Sequence, residues 1–281
     1  MSLGSTLFAN RLSKGHGGNE HSGPFHNLPL DFANRTRYVT YFNDFLRADD
    51  YASGGAGTDT LQWIEDDIGT PAADAIGITA DGPLGVLLIN AGTTDSTGTQ
   101  TMQTGGSTTA DAGEIITAAD GKSFAAGYRV KPLLNALGTC DVGLRRAAGA
   151  MLTTALAVTG GVRIGFWFES TGNLVFHSNC SGSSYLSYDF YDAGTVGYPA
   201  YSANEWIDLA VVADVDDASA QTGTLSWYYR QDGAPKWLLG SRVVGDYITS
   251  STLTPFAFAA VNGVAGDQDL TVDYCWAIIE R

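Results

Sequence analysis

Two carboxylate clusters are the first places in this sequence where residue type and spacing suggest chemistry. Glu65, Asp66 and Asp67 are consecutive in WIEDDIG, and Asp214 and Asp216 stand close together in ADVDD. Glycoside hydrolysis needs two carboxyl groups in one cleft, whereas consecutive residues of a strand point to opposite faces. A catalytic acid also needs burial or a charged neighbour to raise its pKa. We therefore interpret both clusters as solvated turn acids and predict that the chain is not an enzyme.

Metal binding is the next chemistry to weigh. Asp214, Asp216 and Asp217 offer the oxygen ligands that calcium prefers, but their loop lacks the ligand spacing and the bidentate glutamate of an EF-hand. The sequence predicts no cofactor, with calcium at these three aspartates as the weaker alternative.

Nucleophile and phosphate-binding motifs are missing. No G-x-S-x-G elbow occurs, and the loops GGAG and GPLG lack the lysine of a P-loop. His177 lies near Cys180 at the end of a predicted strand, without a family signature for a Cys–His nucleophile. Three further histidines recur every five residues, a spacing that aligns on neither a helix nor a strand, namely His16, His21 and His26. We expect them to form hydrogen bonds and not a zinc site.

Alternation of apolar and polar residues is the main structural signal. The 281 residues include 35 glycines, and only 16% are charged, which indicates many turns between short strands. Within each of four runs, alternate apolar residues are predicted to share one face of a strand. These are Val162, Ile164, Phe166 and Phe168; Ile207, Leu209, Val211 and Ala213; Leu225, Trp227 and Tyr229; and Leu270, Val272, Tyr274, Trp276 and Ile278. Turn clusters at 170–173, 216–223 and 230–235 predict antiparallel hairpins.

Other segments give weaker signals. Residues 144–158 approximate a helical period, and we interpret them as a strand ending near Arg146 followed by a short helix or loop. Residues 52–58 and 91–109 are rich in glycine, serine and threonine and predict surface loops or a polar edge strand. Cys140, Cys180 and Cys275 are widely spaced, so buried free thiols are expected.

Residues 1–36 are predicted to form an extended N-terminal arm, and residues 37–281 one sandwich domain. The arm shows no strand or helix period, yet it holds apolar and basic residues suited to docking on another surface. These candidate interaction residues are Leu7, Phe8, Arg11, Leu12, Lys14, Phe25, Leu28, Leu30, Phe32, Arg35 and Arg37. The alternative is an undocked terminus.

Charge is divided unevenly along the chain. Residues 1–47 hold five basic and three acidic residues, so the remainder of the total of 15 and 30 is 10 and 27, a net charge of −17. This acidic body argues against nucleic-acid binding, and no apolar run reaches the ~18 residues of a membrane span. The opening MSLGSTLFANRLSKG lacks the apolar core of a secretion signal, so we expect synthesis in a cytoplasm.

A series of strand-like segments follows the arm. They include YFNDFL, PLGVLLINAG, KSFAAGYRV, CDVGLRR, GVRIGFWFES, NEWIDLAVVADV, TLSWYYRQDG and LTVDYCWAII. Their order resembles that of tailed-phage virion proteins, over roughly residues 38–281. It implies an all-β, two-sheet antiparallel jelly-roll sandwich, concanavalin-A-like or laminin-G-like, with the first strand beside the last. It also implies a capsid decoration or cement protein on the phage particle, with the major capsid protein and copies of itself as partners.

Glycan binding is the alternative function. Jelly-roll lectins stack sugar rings on exposed aromatic residues, and the segment 184–206 is rich in tyrosine. Tyr185, Tyr188, Tyr191, Tyr198 and Tyr201 form this candidate platform for a host glycan. The same residues suit a protein interface equally well, since tyrosine is enriched there.

Overall fold

The structure is a computed structural model that describes fourteen segments of the chain. They are residues 38–43, 63–68, 75–80, 85–92, 97–103, 115–133, 138–146, 151–152, 161–169, 173–179, 185–189, 204–231, 237–263 and 269–281. Every regular element within them is a strand. The strands are β1 (Tyr38–Asn43), β2 (Trp63–Ile68), β3 (Ala75–Ala80), β4 (Gly85–Asn90), β5 (Gly98–Gln103), β6 (Ser123–Leu133), β7 (Thr139–Arg145), β8 (Arg163–Phe168), β9 (Leu174–Asn179), β10 (Tyr185–Asp189), β11 (Ile207–Asp217), β12 (Thr222–Gln231), β13 (Leu238–Gly245), β14 (Thr254–Val261) and β15 (Asp269–Glu280).

The fifteen strands form two antiparallel sheets. The eight-stranded sheet has the order β13-β12-β11-β6-β15-β4-β3, with β1 also paired to β15, and the seven-stranded sheet has the order β10-β9-β8-β7-β14-β5-β2. The first strand lies beside the last, with Tyr38 opposite Glu280 and Asn43 opposite Cys275. The expected all-β, two-sheet antiparallel sandwich is confirmed, and so is the predicted pairing of its ends.

The main core fills the space between the two sheets, as the alternation predicts. The indole of Trp227 stacks on Phe176 with ring centroids 4.1 Å apart, and Tyr128 meets Phe258 edge to face at 5.8 Å. The alternating apolar residues of β8, β11 and β12 all belong to this core. The three predicted hairpins are confirmed, because β8 pairs with β9, β11 with β12, and β12 with β13.

A β-bulge in β15 contradicts the prediction that its apolar residues share one face. The register of β15 against β6 shifts between Val272 and Tyr274. Leu270 and Val272 therefore face the core, whereas Tyr274, Trp276 and Ile278 pack on the outer face of the sheet. An inserted residue reverses the side-chain alternation beyond it, and the sequence pattern alone does not reveal where that happens.

Two polar segments turn out to be strands inside the fold. Residues 98–103, predicted to lie in a surface loop or at a sheet edge, form β5, which is paired on both sides by β14 and β2. Glu65, Asp66 and Asp67, predicted to be turn acids, lie within the edge strand β2. In both cases hydrogen bonding to neighbouring strands outweighs the weak preference of these polar residues for loops and turns.

The remaining expectations are met in part. β7 ends at Arg145, as predicted, while most of the helical candidate lies outside the described residues. Cys140 and Cys275 are buried free thiols, and Cys180 lies outside the described residues. In the described part of the chain, no helix is long and apolar enough to cross a membrane.

Candidate functional site

A buried cluster of ionisable groups lies on the outer face of the seven-stranded sheet. It comprises Asp141 and Arg145 on β7, Arg163 on β8 and His177 on β9, which we call the histidine cluster. Each of these residues is at most 3% exposed. Ionisable residues are almost never this buried unless they are paired, so the cluster is the strongest candidate site in the described residues.

Sheet register brings the cluster together. Asp141 and His177 stand on strands separated by β8, a distance of roughly 10 Å between backbones. Gly165 on β8 is the register partner of both Gly143 and His177, so no side chain separates the two groups there. The ring nitrogen Nε2 of His177 consequently lies 2.9 Å from Oδ1 of Asp141.

Burial and mutual charge set the protonation states. Burial lowers the pKa of His177, assisted by the positive charges of Arg163 and Arg145 and opposed by Asp141. Burial alone would raise the pKa of Asp141, but attraction and hydrogen bonding to His177, with the two arginines, lower it overall. Burial lowers the pKa of Arg145 to about 10, which still leaves it charged at neutral pH. His177 is therefore a neutral imidazole that donates its Nε2–H to an ionised Asp141.

The histidine cluster has two of the three parts of an acid–base relay. A carboxylate orients an imidazole, but the side chains of His177 and Asp141 are only 1% and 3% exposed. Among the described residues, no group forms a hydrogen bond with the second ring nitrogen, Nδ1. In this arrangement the imidazole has no route to a solvent-borne substrate, so the cluster organises the sheet face.

A second polar cluster lies on the outer face of the eight-stranded sheet. Its centre is Asp208, which is 1% exposed. Arg230 donates to Oδ2 of Asp208 from Nε at 2.8 Å and approaches it with a terminal nitrogen at 2.6 Å. Tyr274 donates its hydroxyl to Oδ1 at 3.0 Å, and Arg129 lies 3.4 Å from the same oxygen. Burial and the charge of Asp208 raise the pKa of Tyr274, which keeps its hydroxyl protonated as a donor. We call these four residues the Asp208 cluster.

Apolar side chains surround the Asp208 cluster on the same face. We call this group the aromatic layer; its buried members are Tyr38, Ala125, Ala210, Val212, Tyr228, Trp237, Trp276 and Ile278. The indole of Trp276 occupies the space above Gly127, where an added Cβ would lie 2.3 Å from the ring. Arg230 stacks over Trp237, with its guanidinium carbon 5.0 Å from the ring centroid.

One partly exposed aromatic side chain stands at the end of this face. Trp206 lies just before β11, with the guanidinium carbon of Arg129 5.4 Å and the ammonium of Lys131 4.9 Å from its ring centroid. Trp206 therefore makes cation–π contacts with two cations, and one of them, Arg129, also belongs to the Asp208 cluster.

The calcium alternative finds no support in the described residues. They contain no group of three or more histidine, cysteine, aspartate or glutamate side chains able to hold a metal ion. Oδ1 of Asp214 accepts a hydrogen bond from the Ser123 hydroxyl at 2.7 Å, and Oδ1 of Asp217 accepts one from the backbone N–H of Ala220 at 2.9 Å. Asp214 therefore joins β11 to β6, and Asp217 caps the β11–β12 turn.

The predicted interaction residues are only partly covered by the structure. Tyr185 and Tyr188 belong to β10, the edge strand of the seven-stranded sheet. Tyr191, Tyr198 and Tyr201 lie outside the described residues, as do all the arm residues from Leu7 to Arg37. These positions remain predictions.

Sequence reasoning missed both clusters, although a signal was present. The run RIGFWF places Arg163 at the start of a strand whose other positions are apolar or glycine, and LVFHSN places His177 directly after three apolar residues. A charged residue within a strand whose neighbours are all buried requires a partner. The partner could not be read from the sequence, because Asp141 is 36 residues from His177.

No family model and no curated protein matches this chain. Solved structures do match it, including a protein of unknown function from Shewanella oneidensis MR-1, 13% identical over 87% of each chain, with a TM-score of 0.51. Another is a structure of peanut lectin with a 9mer peptide, 12% identical over 87% of this chain and 97% of the lectin, with a TM-score of 0.47. A third is a Bacillus licheniformis beta-glucanase, 12% identical over 86% of this chain and 98% of the glucanase, with a TM-score of 0.44. Similarity at this level shows a shared fold alone. The expectation that this chain is not an enzyme stays a prediction. The chain itself is a two-sheet antiparallel sandwich.

Proposed function

We propose that the chain is a non-enzymatic structural component of a tailed-phage virion, of the capsid decoration or cement type. It would bind the head shell and neighbouring copies through the sandwich surface and the N-terminal arm. The proposal rests first on the order of strand segments, which resembles that of such proteins over roughly residues 38–281.

The structural observation that carries the non-enzymatic part is the burial of the Asp141–His177 pair. This pair has the chemistry of an acid–base relay, yet its side chains are almost fully buried. Protein contact is supported by large apolar side chains that remain exposed on the eight-stranded sheet, namely Phe42 at 44%, Leu239 at 43% and Val244 at 72%. Phe42 lies on β1 and the other two on β13, so the candidate contact points for another protein are at the edges of this sheet.

Mass spectrometry of purified particles, followed by immunogold labelling, tests this proposal. We expect many copies on the head. Absence of the protein from particles, or a few copies confined to the tail tip, would contradict a cement role.

Glycan binding by a virion protein is the second candidate. It is favoured by Trp206, which is partly exposed and flanked by Arg129 and Lys131, since lectins combine an aromatic face with charged side chains at one end of the sandwich. A glycan array is the direct measurement. Binding that disappears in Trp206→Ala and persists in Trp167→Phe would establish this function, and an array without hits would remove it.

A further inference from the structure

The strand β13, at one end of the eight-stranded sheet, has accessible side chains on its outer side. It pairs with β12 along one edge, and no other described strand pairs with it. Val243 packs against the main core, so its neighbours Arg242 and Val244 point outward. Val244 is 72% exposed, and Arg242 is also exposed. The outward side chains in this half of β13 can therefore contact another chain.

Exposure on this side of the sheet begins abruptly at β13. Thr224 and Ser226 on β12 lie opposite Val244 and Arg242, yet they are only 8% and 4% exposed. The accessible strip is consequently one strand wide and lies at the edge of the sheet. A partner that fits this strip lies beside β13, as an added strand does, and not on top of the sheet.

This half of β13 has few of the features that prevent an edge strand from pairing with another chain. Residues 241–245, which follow the bulge in the pairing with β12, contain no proline, no lysine and a single charge, that of Arg242. By contrast, β2 at the end of the seven-stranded sheet carries Glu65, Asp66 and Asp67, which would repel an identical strand.

The same segment is complementary to itself in one antiparallel register. When the Val244 residues of two copies lie opposite each other, Arg242 of each copy lies opposite Asp246 of the other. Asp246 is exposed and directly follows the strand. Directly opposed residues have Cβ atoms about 4.5–5.5 Å apart, a distance that an arginine and an aspartate can bridge. A two-fold axis at Arg242 would instead oppose two arginines, and one at Asp246 would oppose two aspartates.

We propose that two copies of this chain pair antiparallel through β13, about a two-fold axis at Val244. The two eight-stranded sheets then join edge to edge into one continuous sheet. Two arginine–aspartate pairs offset the repulsion between copies that each carry a net charge of −15. The inference rests on the proposed contact between neighbouring copies and names the strand that makes it. The paired segment is short, so the contact is weak in solution and is strengthened where many copies share one shell.

Disulfide crosslinking tests the register. Val244→Cys in a Cys180→Ser background places two thiols directly opposite each other, at a Cα separation that a disulfide can span. The matched control is Leu239→Cys, since Leu239 is also on β13 and is 43% exposed. Its two copies would lie about ten residues apart along the strands, roughly 33 Å. We expect a covalent dimer from the first variant and none from the second. Equal crosslinking of both variants, or of neither, would overturn the proposed register.

Charge exchange tests the contact without a covalent bond. Arg242→Asp brings two acidic residues together and Asp246→Arg two basic residues, so each variant alone should stay monomeric in sedimentation velocity. An equimolar mixture should form a heterodimer, because each variant supplies the charge that the other has lost. The full-length protein should dimerise as its concentration rises. Arg146→Asp makes the same charge change at another exposed position and should leave this dimerisation unaltered.

The outcomes separate this inference from the virion proposal, because the measurements use the purified protein. A full-length protein that stays monomeric at every concentration overturns the inference, as does a dimer that survives Arg242→Asp or a mixture that stays monomeric. A protein that dimerises through β13 but is absent from particles would keep the pairing and remove the virion function. A monomeric protein found in many copies on the head would do the reverse.

Discussion

Asp141→Asn is the sharpest test of the histidine cluster. The substitution keeps the shape of the side chain and one acceptor oxygen for His177, but it removes the negative charge among two buried guanidinium groups. Breaking a buried ion pair by removing one partner costs about 3–5 kcal/mol, because a buried charge loses its compensation. Since the amide oxygen still accepts from His177, we expect a loss near the lower end, about 3 kcal/mol. Typical domains have a total stability of about 5–15 kcal/mol, so the loss is easily measured.

Equilibrium unfolding in guanidinium chloride, followed by circular dichroism, gives the free energy of unfolding. The matched control is Asp214→Asn, whose carboxylate is half-buried and accepts one hydrogen bond from Ser123. Its amide oxygen can accept the same bond, so the control should lose less than about 1 kcal/mol. If both variants lose the same amount at an unchanged denaturant slope, the carboxylate of Asp141 is not the compensating charge, and our account of the cluster is wrong.

Three further predictions concern pH and close packing. Burial lowers the pKa of His177 in the folded chain. Below about pH 6.5 the unfolded chain therefore binds a proton at this residue that the folded chain does not bind. The free energy of unfolding consequently falls as the pH falls, by at most about 1.4 kcal/mol per pH unit. Unfolding titrations at pH 7.5 and 5.5 measure this loss, which His177→Asn should reduce. Gly165→Ala should lower the free energy of unfolding by about 1–3 kcal/mol, because the added Cβ would lie 2.4 Å from a backbone oxygen of β7. In the control Gly161→Ala, the added Cβ would lie 3.4 Å from a side-chain atom, so its thermal melt should be nearly unchanged. Gly127→Ala should displace the indole of Trp276 and shift tryptophan emission, and unchanged emission would contradict the packing described for the aromatic layer.

The inner faces of the sheets could be predicted from the sequence because a single rule governs them. Residues such as Leu209 and Trp227 alternate with others at a period of two, and the period places them in the core without knowledge of their partners. The rule fails in β15, where one inserted residue sends Trp276 to the outer face. Local pattern carries no mark of a bulge, since a bulge depends on the neighbouring strand.

The outer faces could not be predicted, because the same rule assigns their positions to solvent. Arg163 and Asp208 alternate with core residues and would be expected to meet water, yet both are at most 3% exposed. Their burial depends on groups brought together by topology, Asp141 and His177 for one and Arg129 and Arg230 for the other. Such pairings are set by strand order and register, which bring together residues that are far apart in the sequence.

The two outer faces hold the same kind of buried charge cluster, and this affects where the protein can contact a partner. Each face holds a buried aspartate with two arginines, on β7 and β8 for Asp141 and on β6 and β12 for Asp208. Buried charges of this kind add little to the free energy of unfolding, but any conformation that leaves one of them unpaired is strongly destabilised. Within the described residues, these two clusters are therefore fixed parts of the domain. Among the described residues, the large exposed apolar side chains lie on β13, which carries Leu239 and the 72% exposed Val244, and on β1, which carries Phe42. Exposed apolar side chains on an edge strand favour contact with another protein, so we expect a partner to meet the domain at β13.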